Sequence, residues 1–216
     1  MSKKHQLAFV TFLTFVRFPL VLLFFAGAIV HTYHPLAWLF WITFLALVLS
    51  ALTDLFDGYY ARKFGVVTTF GAHVDPLMDK FFYLASLPLL VYIMSLESAA
   101  VGDAKHHLAG AMLLLTLIFL ARDQWVTFLR SIGSMYQADG KANWSGKLRT
   151  ALNFPMICIV YYVEKAPEPF DKLIPVSVAY AFVVITLGLT IMTLFIYTRQ
   201  YWPYLRRSAQ LKGDSA

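Results

Sequence analysis

The sequence predicts an all-α integral membrane protein, a bundle of six transmembrane helices, and three observations carry that expectation. Of its 216 residues 59% are hydrophobic and only 14% charged, where a soluble domain has about a quarter charged. Mean hydropathy is +0.64. The apolar residues also gather into six long stretches separated by polar, Gly- and Pro-bearing segments, and about 20 apolar residues suffice to cross a bilayer as a helix.

The first stretch, residues 7–31, follows the basic start Met1-Ser-Lys-Lys-His. It is too long for a signal-peptide core and has no small-residue cleavage site, so it reads as a retained span. The segment HTYHP leads to the second stretch, 35–60, and ARKFGVVTTFGA leads to the third, 74–95. SLESAAVGDAKHH precedes the fourth, 107–131, and SIGSMYQADGKANWSGK precedes the fifth, 148–164. EKAPEPFDK precedes the sixth, 173–198, and a basic tail follows. No linker composition, charge block or repeat divides the chain, so residues 1–216 are expected to form one domain. The single cysteine, Cys158, lies in an apolar run and reads as a buried thiol.

Six spans put both termini on one side, and fifteen of the 18 Lys and Arg residues fall on that side, leaving Lys105, Lys165 and Lys172 opposite. The positive-inside rule then places both termini and the second and fourth connections in the cytoplasm, which in a bacterium means a multi-pass protein of the inner membrane. The net charge of +6 sits beside apolar segments rather than along a soluble stripe, so anionic lipid and phosphate are the expected partners and nucleic acid is not. His31, His34, His106 and His107, with Tyr33, Trp38, Trp125, Trp144, Tyr201 and Trp202, read as interfacial residues.

Four acids, Asp54, Asp57, Asp75 and Asp79, fall within 26 residues around the second connection. A carboxylate at mid-span costs about 2.5–3.5 kcal/mol, so acids there point to function. Spacings of three and four residues put Asp54 with Asp57 on one helical face and Asp75 with Asp79 on another. Two facing helices could aim all four at one point, where mutual repulsion is relieved by hard divalent cations on carboxylate oxygens. Two such ions could bridge a pyrophosphate. Gly58 and Ala61 leave a smooth flank for a ligand, and Arg62 supplies a forked cation for phosphate. Pro76 after Asp75 predicts that the third helix opens there, with Asp75 near its N-cap.

The run Asp54-x-x-Asp57-Gly58-x-x-Ala61-Arg62, then Gly71-x-x-x-Asp75-x-x-x-Asp79, resembles the signature of the CDP-alcohol phosphotransferase family at every fixed position. The resemblance implies that family's membrane fold and a metal-dependent enzyme of phospholipid biosynthesis. It implies two divalent cations, Mg2+ or Mn2+, on Asp54, Asp57, Asp75 and Asp79, with Asp79 also the general base. Gly58, Ala61, Arg62 and Thr68 would contact the CDP moiety. Family members are homodimers, which makes a dimer part of the expectation.

A looser similarity, through TFLTFVRFP around Arg17, TTFGAHVDPLMDK, ARDQWVTFLR and SGKLRTALN, is to the bacterial phosphatidylglycerophosphate synthases within the family. It implies transfer of a phosphatidyl group from CDP-diacylglycerol to glycerol 3-phosphate with release of CMP, and makes Arg122, Arg130, Lys147 and Arg149 the candidate acceptor-phosphate site. The chain departs from that subfamily in lacking Pro-Asn before the first span, in having Arg122-Asp123 for Arg-Glu, and in having Arg149-Thr150 for Lys-Thr. Asp123 is expected to pair with a neighbouring arginine. Phosphatidylglycerol, serine or inositol phosphate as acceptor would use the same chemistry. A small ion-coupled transporter would instead need inverted repeats and acids at mid-membrane, and the sequence has neither.

Overall fold

The computed structural model describes residues 2–66, 69–98, 103–137 and 144–209, which are helical nearly throughout. Six long helices follow one another: α1 (Lys3–Tyr33), α2 (Ala37–Phe64), α3 (Thr69–Ser98), α4 (Asp103–Met135), α5 (Trp144–Lys165) and α6 (Val176–Ala209). A single 3-10 turn, Phe170–Lys172, lies between the last two. Backbone polar groups have no water to bond in hydrocarbon, so long uninterrupted helices are what such a composition can form.

Helices α1, α3, α4 and α5 overrun the apolar stretches at both ends, and α2 and α6 at their C-terminal ends only, because polar residues flanking a span continue its hydrogen-bond ladder into the interface. Among the described residues, five helical segments are long and apolar enough to cross a membrane: Lys3–Tyr33, Ala37–Phe64, Leu77–Leu96, His107–Met135 and Val176–Ala209. The sixth expected span is a helix but not among these five. Over its 22 residues α5 carries Arg149, Asn153, Glu164 and Lys165, of which Arg149 lines the cavity described below. The chain is a multi-pass membrane protein; all six expected stretches are helical, and five of them meet that measure of length and apolarity among the described residues.

Helix α1 packs on α2 and α3, α4 joins α3 to α6, and α5 packs on α6, α2 and α3. Their shared core includes Phe24, Phe40, Leu47, Leu87, Leu90, Met112, Leu115, Ile157, Tyr161 and Val183, all essentially inaccessible. Phe12, Leu45, Leu84, Leu117 and Phe195 face outward, as lipid-facing residues do. Where α1 and α2 cross, a Cβ on Gly27 would lie 2.5 Å from Thr43 Oγ1, so this approach depends on a residue without a side chain.

A second, smaller core of Val126, Leu129, Tyr197 and Tyr201 holds the C-terminal ends of α4 and α6 together, with Tyr204 and Leu205 against it. Tyr201 is therefore a core residue and not the interfacial one expected; its ring stacks with Tyr197 at 6.5 Å between centroids. His31 is likewise buried, its ring 5.9 Å from that of Phe40. Tyr33, Trp38, Trp125, Trp144 and Trp202 are exposed, as a belt residue should be.

Candidate active site

The last three turns of α2 carry Asp54, Asp57, Gly58, Ala61 and Arg62. The helix stops one turn later at Gly65, whose φ of +63° is left-handed. Gly65 N–H donates to Arg62 O at 3.3 Å and Val66 N–H to Ala61 O at 3.1 Å, the paired C-terminal bonds that favour glycine at this position. Arg62 and Lys63 in the last turn complement the helix dipole. A Cβ on Gly58 would lie 3.5 Å from Arg62 Nη1 and 3.6 Å from Nη2, so the guanidinium lies over the bare flank of the glycine.

Helix α3 begins at Thr69, six residues before Asp75. Asp75 thus lies within the helix and not near its N-cap, because Pro76 withholds only one ladder donor and a membrane helix can absorb that loss. Asp75 and Asp79 remain one turn apart on one face. Thr68, and the side chains of Asp75 and Lys147, lie outside the described residues.

Three acids from α2 and α3 meet at Arg17 of α1. Arg17 Nη2 is 2.5 Å from Asp54 Oδ1 and 2.9 Å from Asp57 Oδ2, and Nη1 is 3.0 Å from Asp79 Oδ1. Thr14, one turn before Arg17, donates its hydroxyl to the same Asp57 oxygen at 3.0 Å. The carboxylates differ in access: side-chain exposure is 5% for Asp57, 19% for Asp54 and 40% for Asp79. Among the described residues, no group of three carboxylate, imidazole or thiol side chains stands as a ready-made metal site; the cation the three acids share is Arg17. Sequence motifs named Arg17 only as part of a similar segment, since its partners are about 40 and 62 positions away in the chain.

The candidate acceptor cations come from α4 and α5. Arg122 and Arg149 are buried, at 4% and 7% exposure, which rules out the snorkelling role common to interfacial arginines. Asp123 Oδ1 accepts from both, at 3.4 Å from Arg122 Nη1 and 3.3 Å from Arg149 Nη2. The expected pairing of Asp123 is thereby found, with two arginines rather than one. Arg122 Nε also donates to Thr193 Oγ1 at 3.2 Å. The guanidinium of Arg149 covers the Phe119 ring at 4.5 Å, and its Nε and Nη1 are buried with no hydrogen-bond partner among the described residues.

Tyr197 of α6 ties the arginines together. Arg122 and Arg130 lie 5.1 Å and 5.3 Å from its ring centroid, near enough for cation–π attraction. Its hydroxyl accepts from Arg130 Nη2 at 3.1 Å. A Cβ on Gly146 would approach that hydroxyl to 3.1 Å. Lys80, next to Asp79, donates to Thr127 Oγ1 of α4 at 3.0 Å. Neither Tyr197 nor Lys80 was a candidate by sequence: one reads as an aromatic in a span, the other as a topological cation.

One cavity of about 970 Å³ joins the two halves. Asp54, Arg62, Asp79 and Lys80 line one part of it, and Arg122, Asp123, Arg130, Arg149 and Tyr197 line another. Its remaining wall is apolar, with Val48, Ala51 and Leu52 of α2 facing Ala151, Phe154, Pro155 and Cys158 of α5. An anionic group with an attached apolar chain matches this lining, since it combines five cationic side chains with aliphatic groups carried by two helices.

A family model described as CDP-alcohol phosphatidyltransferase matches residues 8–194. The chain is 27% identical to a CDP-diacylglycerol–glycerol-3-phosphate 3-phosphatidyltransferase of Pseudomonas fluorescens, over 81% of this chain and 82% of that one. It is 28% identical to a probable phosphatidylglycerophosphate synthase of Mycobacterium tuberculosis, over 82% of this chain and 75% of the relative. A Bacillus subtilis CDP-diacylglycerol–glycerol-3-phosphate 3-phosphatidyltransferase is 35% identical over 48% of this chain and 46% of its own.

Proposed function

The chain belongs to the CDP-alcohol phosphatidyltransferase family, and from that premise we propose that it transfers the phosphatidyl group of CDP-diacylglycerol to glycerol 3-phosphate, releasing CMP and forming phosphatidylglycerophosphate. The observation that carries the choice of acceptor is the buried Arg149, whose Nε and Nη1 point to no protein partner among the described residues. Buried donors without partners are costly. A phosphate dianion held beside Arg122 and Arg130 would satisfy them and also balance the charge of the three arginines, which a neutral alcohol could not do.

The residues present fit divalent cations, because three carboxylates already converge within 3.0 Å of one positive group and all offer the hard oxygen donors that such ions take. Two ions, Mg2+ or Mn2+, bound by Asp54, Asp57, Asp75 and Asp79 would supply Lewis-acid chemistry at the pyrophosphate. Arg62, lying over Gly58 with Ala61 beside it, would bind the CDP phosphates together with Thr68, and the apolar wall of α2 and α5 would take the acyl chains. Asp79 is the most accessible of the three described acids and lines the cavity, which suits it to accept the proton of the acceptor hydroxyl. The acceptor oxygen then bonds to the lipid phosphorus as the bond from that phosphorus to the bridging oxygen breaks, and CMP departs.

The excess of Lys and Arg at the site's end of the bundle supports a cytoplasmic active site and cytoplasmic termini in the inner membrane. A homodimer belongs to the same reading, and cross-linking in membranes tests it. For the reaction, purified protein is given CDP-diacylglycerol and, separately, glycerol 3-phosphate, serine, inositol phosphate, phosphatidylglycerol or glycerol, and CMP release is measured. Release with glycerol 3-phosphate well above every other acceptor is the expected result. Phosphatidylserine formation with no product from glycerol 3-phosphate would overturn the acceptor and leave the class of reaction standing.

A further inference from the structure

Arg17 is the largest fully buried side chain to carry a charge among the described residues, at 1% exposure. Removing a guanidinium from water costs several kcal/mol unless it is matched by well-placed acceptors. Here the match comes from Asp54, Asp57 and Asp79, at 2.5, 2.9 and 3.0 Å. The converse holds for the acids. Three carboxylates aimed at one point repel one another and would take up protons or turn away without a cation between them. Helix α1 therefore supplies a tethered cation to the oxygens that the proposed function gives to divalent ions. Thr14 strengthens the arrangement by donating at 3.0 Å to the Asp57 oxygen that also receives Arg17 Nη2.

We propose that Arg17 is the resident counter-cation of the acidic cluster, a positioning residue that keeps Asp54, Asp57 and Asp79 assembled before metal arrives and competes with the metal for their oxygens. The inference rests on the metal reading of the proposed function. Because Arg17 is buried and fixed to α1, its charge stays beside the acids, which would keep them compensated in the absence of an ion. It also makes metal affinity a compromise: the stronger the hold of Arg17, the weaker the net binding of the ion.

The test uses the full chain in detergent, with Mn2+ binding followed by the loss of its free-ion EPR signal and unfolding followed in chelator and in saturating Mn2+. Arg17→Gln removes the charge while keeping a hydrogen-bonding head. It should unfold at lower temperature than the wild type in chelator, regain most of that loss in Mn2+, and bind Mn2+ more tightly by about tenfold or more, the scale of one charge-assisted contact no longer in competition. Arg17→Lys keeps a charge without the fork, reaches fewer of the acids at once, and should fall between the two. Mn2+ affinity that is unchanged or weaker in Arg17→Gln overturns the inference. Should that variant fail to fold, unchanged or weaker affinity in Arg17→Lys overturns it equally. A wild type that binds no Mn2+, alongside an equally inert Asp57→Asn, refutes the metal reading itself and is thereby distinct from failure of the competition.

Discussion

Arg130 of α4 donates a hydrogen bond of 3.1 Å to the hydroxyl of Tyr197 on α6, while its guanidinium carbon lies 5.3 Å from the centre of the same ring. The ring is shared with Arg122, at 5.1 Å, so one tyrosine orients two cations of the cavity. Tyr197→Phe keeps the ring and removes the acceptor of Arg130. The Michaelis constant for glycerol 3-phosphate should rise about three- to tenfold, as expected for one lost hydrogen bond, with that for CDP-diacylglycerol little changed. Steady-state CMP release with each substrate varied in turn checks the split, and equal changes in both constants would count against an acceptor site here.

Arg149→Ala removes the buried donors that have no protein partner among the described residues. The apparent affinity for glycerol 3-phosphate should fall by about tenfold or more, the scale of a charged hydrogen bond. Inorganic phosphate should compete with the acceptor in the wild type and do so less well in this variant. Asp123, relieved of one of its two arginines, keeps Arg122 at 3.4 Å, so the fold should survive and thermal unfolding should confirm it.

Asp57 and Asp79 should behave differently, because one is buried and the other opens to the cavity. Asp57→Asn is expected to abolish CMP release even at saturating Mg2+ or Mn2+, through loss of an anionic oxygen donor. Asp79→Asn is expected to stop turnover while leaving CDP-lipid binding largely intact, measured by equilibrium dialysis of labelled CDP-diacylglycerol in micelles. Loss of binding as severe as the loss of turnover would contradict a base role for Asp79.

Gly58→Ala separates shape at the site from stability. The added methyl meets Arg62 at 3.5 Å, an ordinary contact, and alanine favours a helix over glycine by about 1 kcal/mol. The variant should therefore unfold no earlier than the wild type with Arg62 in place, yet occupy the bare flank and weaken use of CDP-diacylglycerol. Unaltered kinetics would mean that the flank takes no ligand.

Gly27→Ala gives the opposite outcome. Its methyl would lie 2.5 Å from Thr43 Oγ1, inside the helix contact that orients α1, so overpacking of about 1–3 kcal/mol is expected. The unfolding temperature should drop, and Gly27→Ala combined with Thr43→Ala should recover much of the loss.

The sequence by itself determined the helices and the shared face of Asp54 and Asp57, which follow from composition and from a spacing of three residues that helical geometry converts directly into one face. The family was legible as well, through the resemblance of the run from Asp54 to Asp79 to a known signature rather than through composition or periodicity. Pro76 misled the reading of where α3 starts, because local propensity gives way when a longer helix can be packed against its neighbours. The tertiary structure alone decided what the faces meet. It brought Arg17 to acids on two other helices, gave Asp123 two arginines instead of one, buried Tyr201 and His31, and set Tyr197 beneath Arg122 and Arg130. It also brought Arg149 of α5, together with the apolar Ala151, Phe154, Pro155 and Cys158, to the wall of the cavity. Such contacts join positions tens of residues apart, and it is the crossing of rigid helices rather than any local preference that selects them.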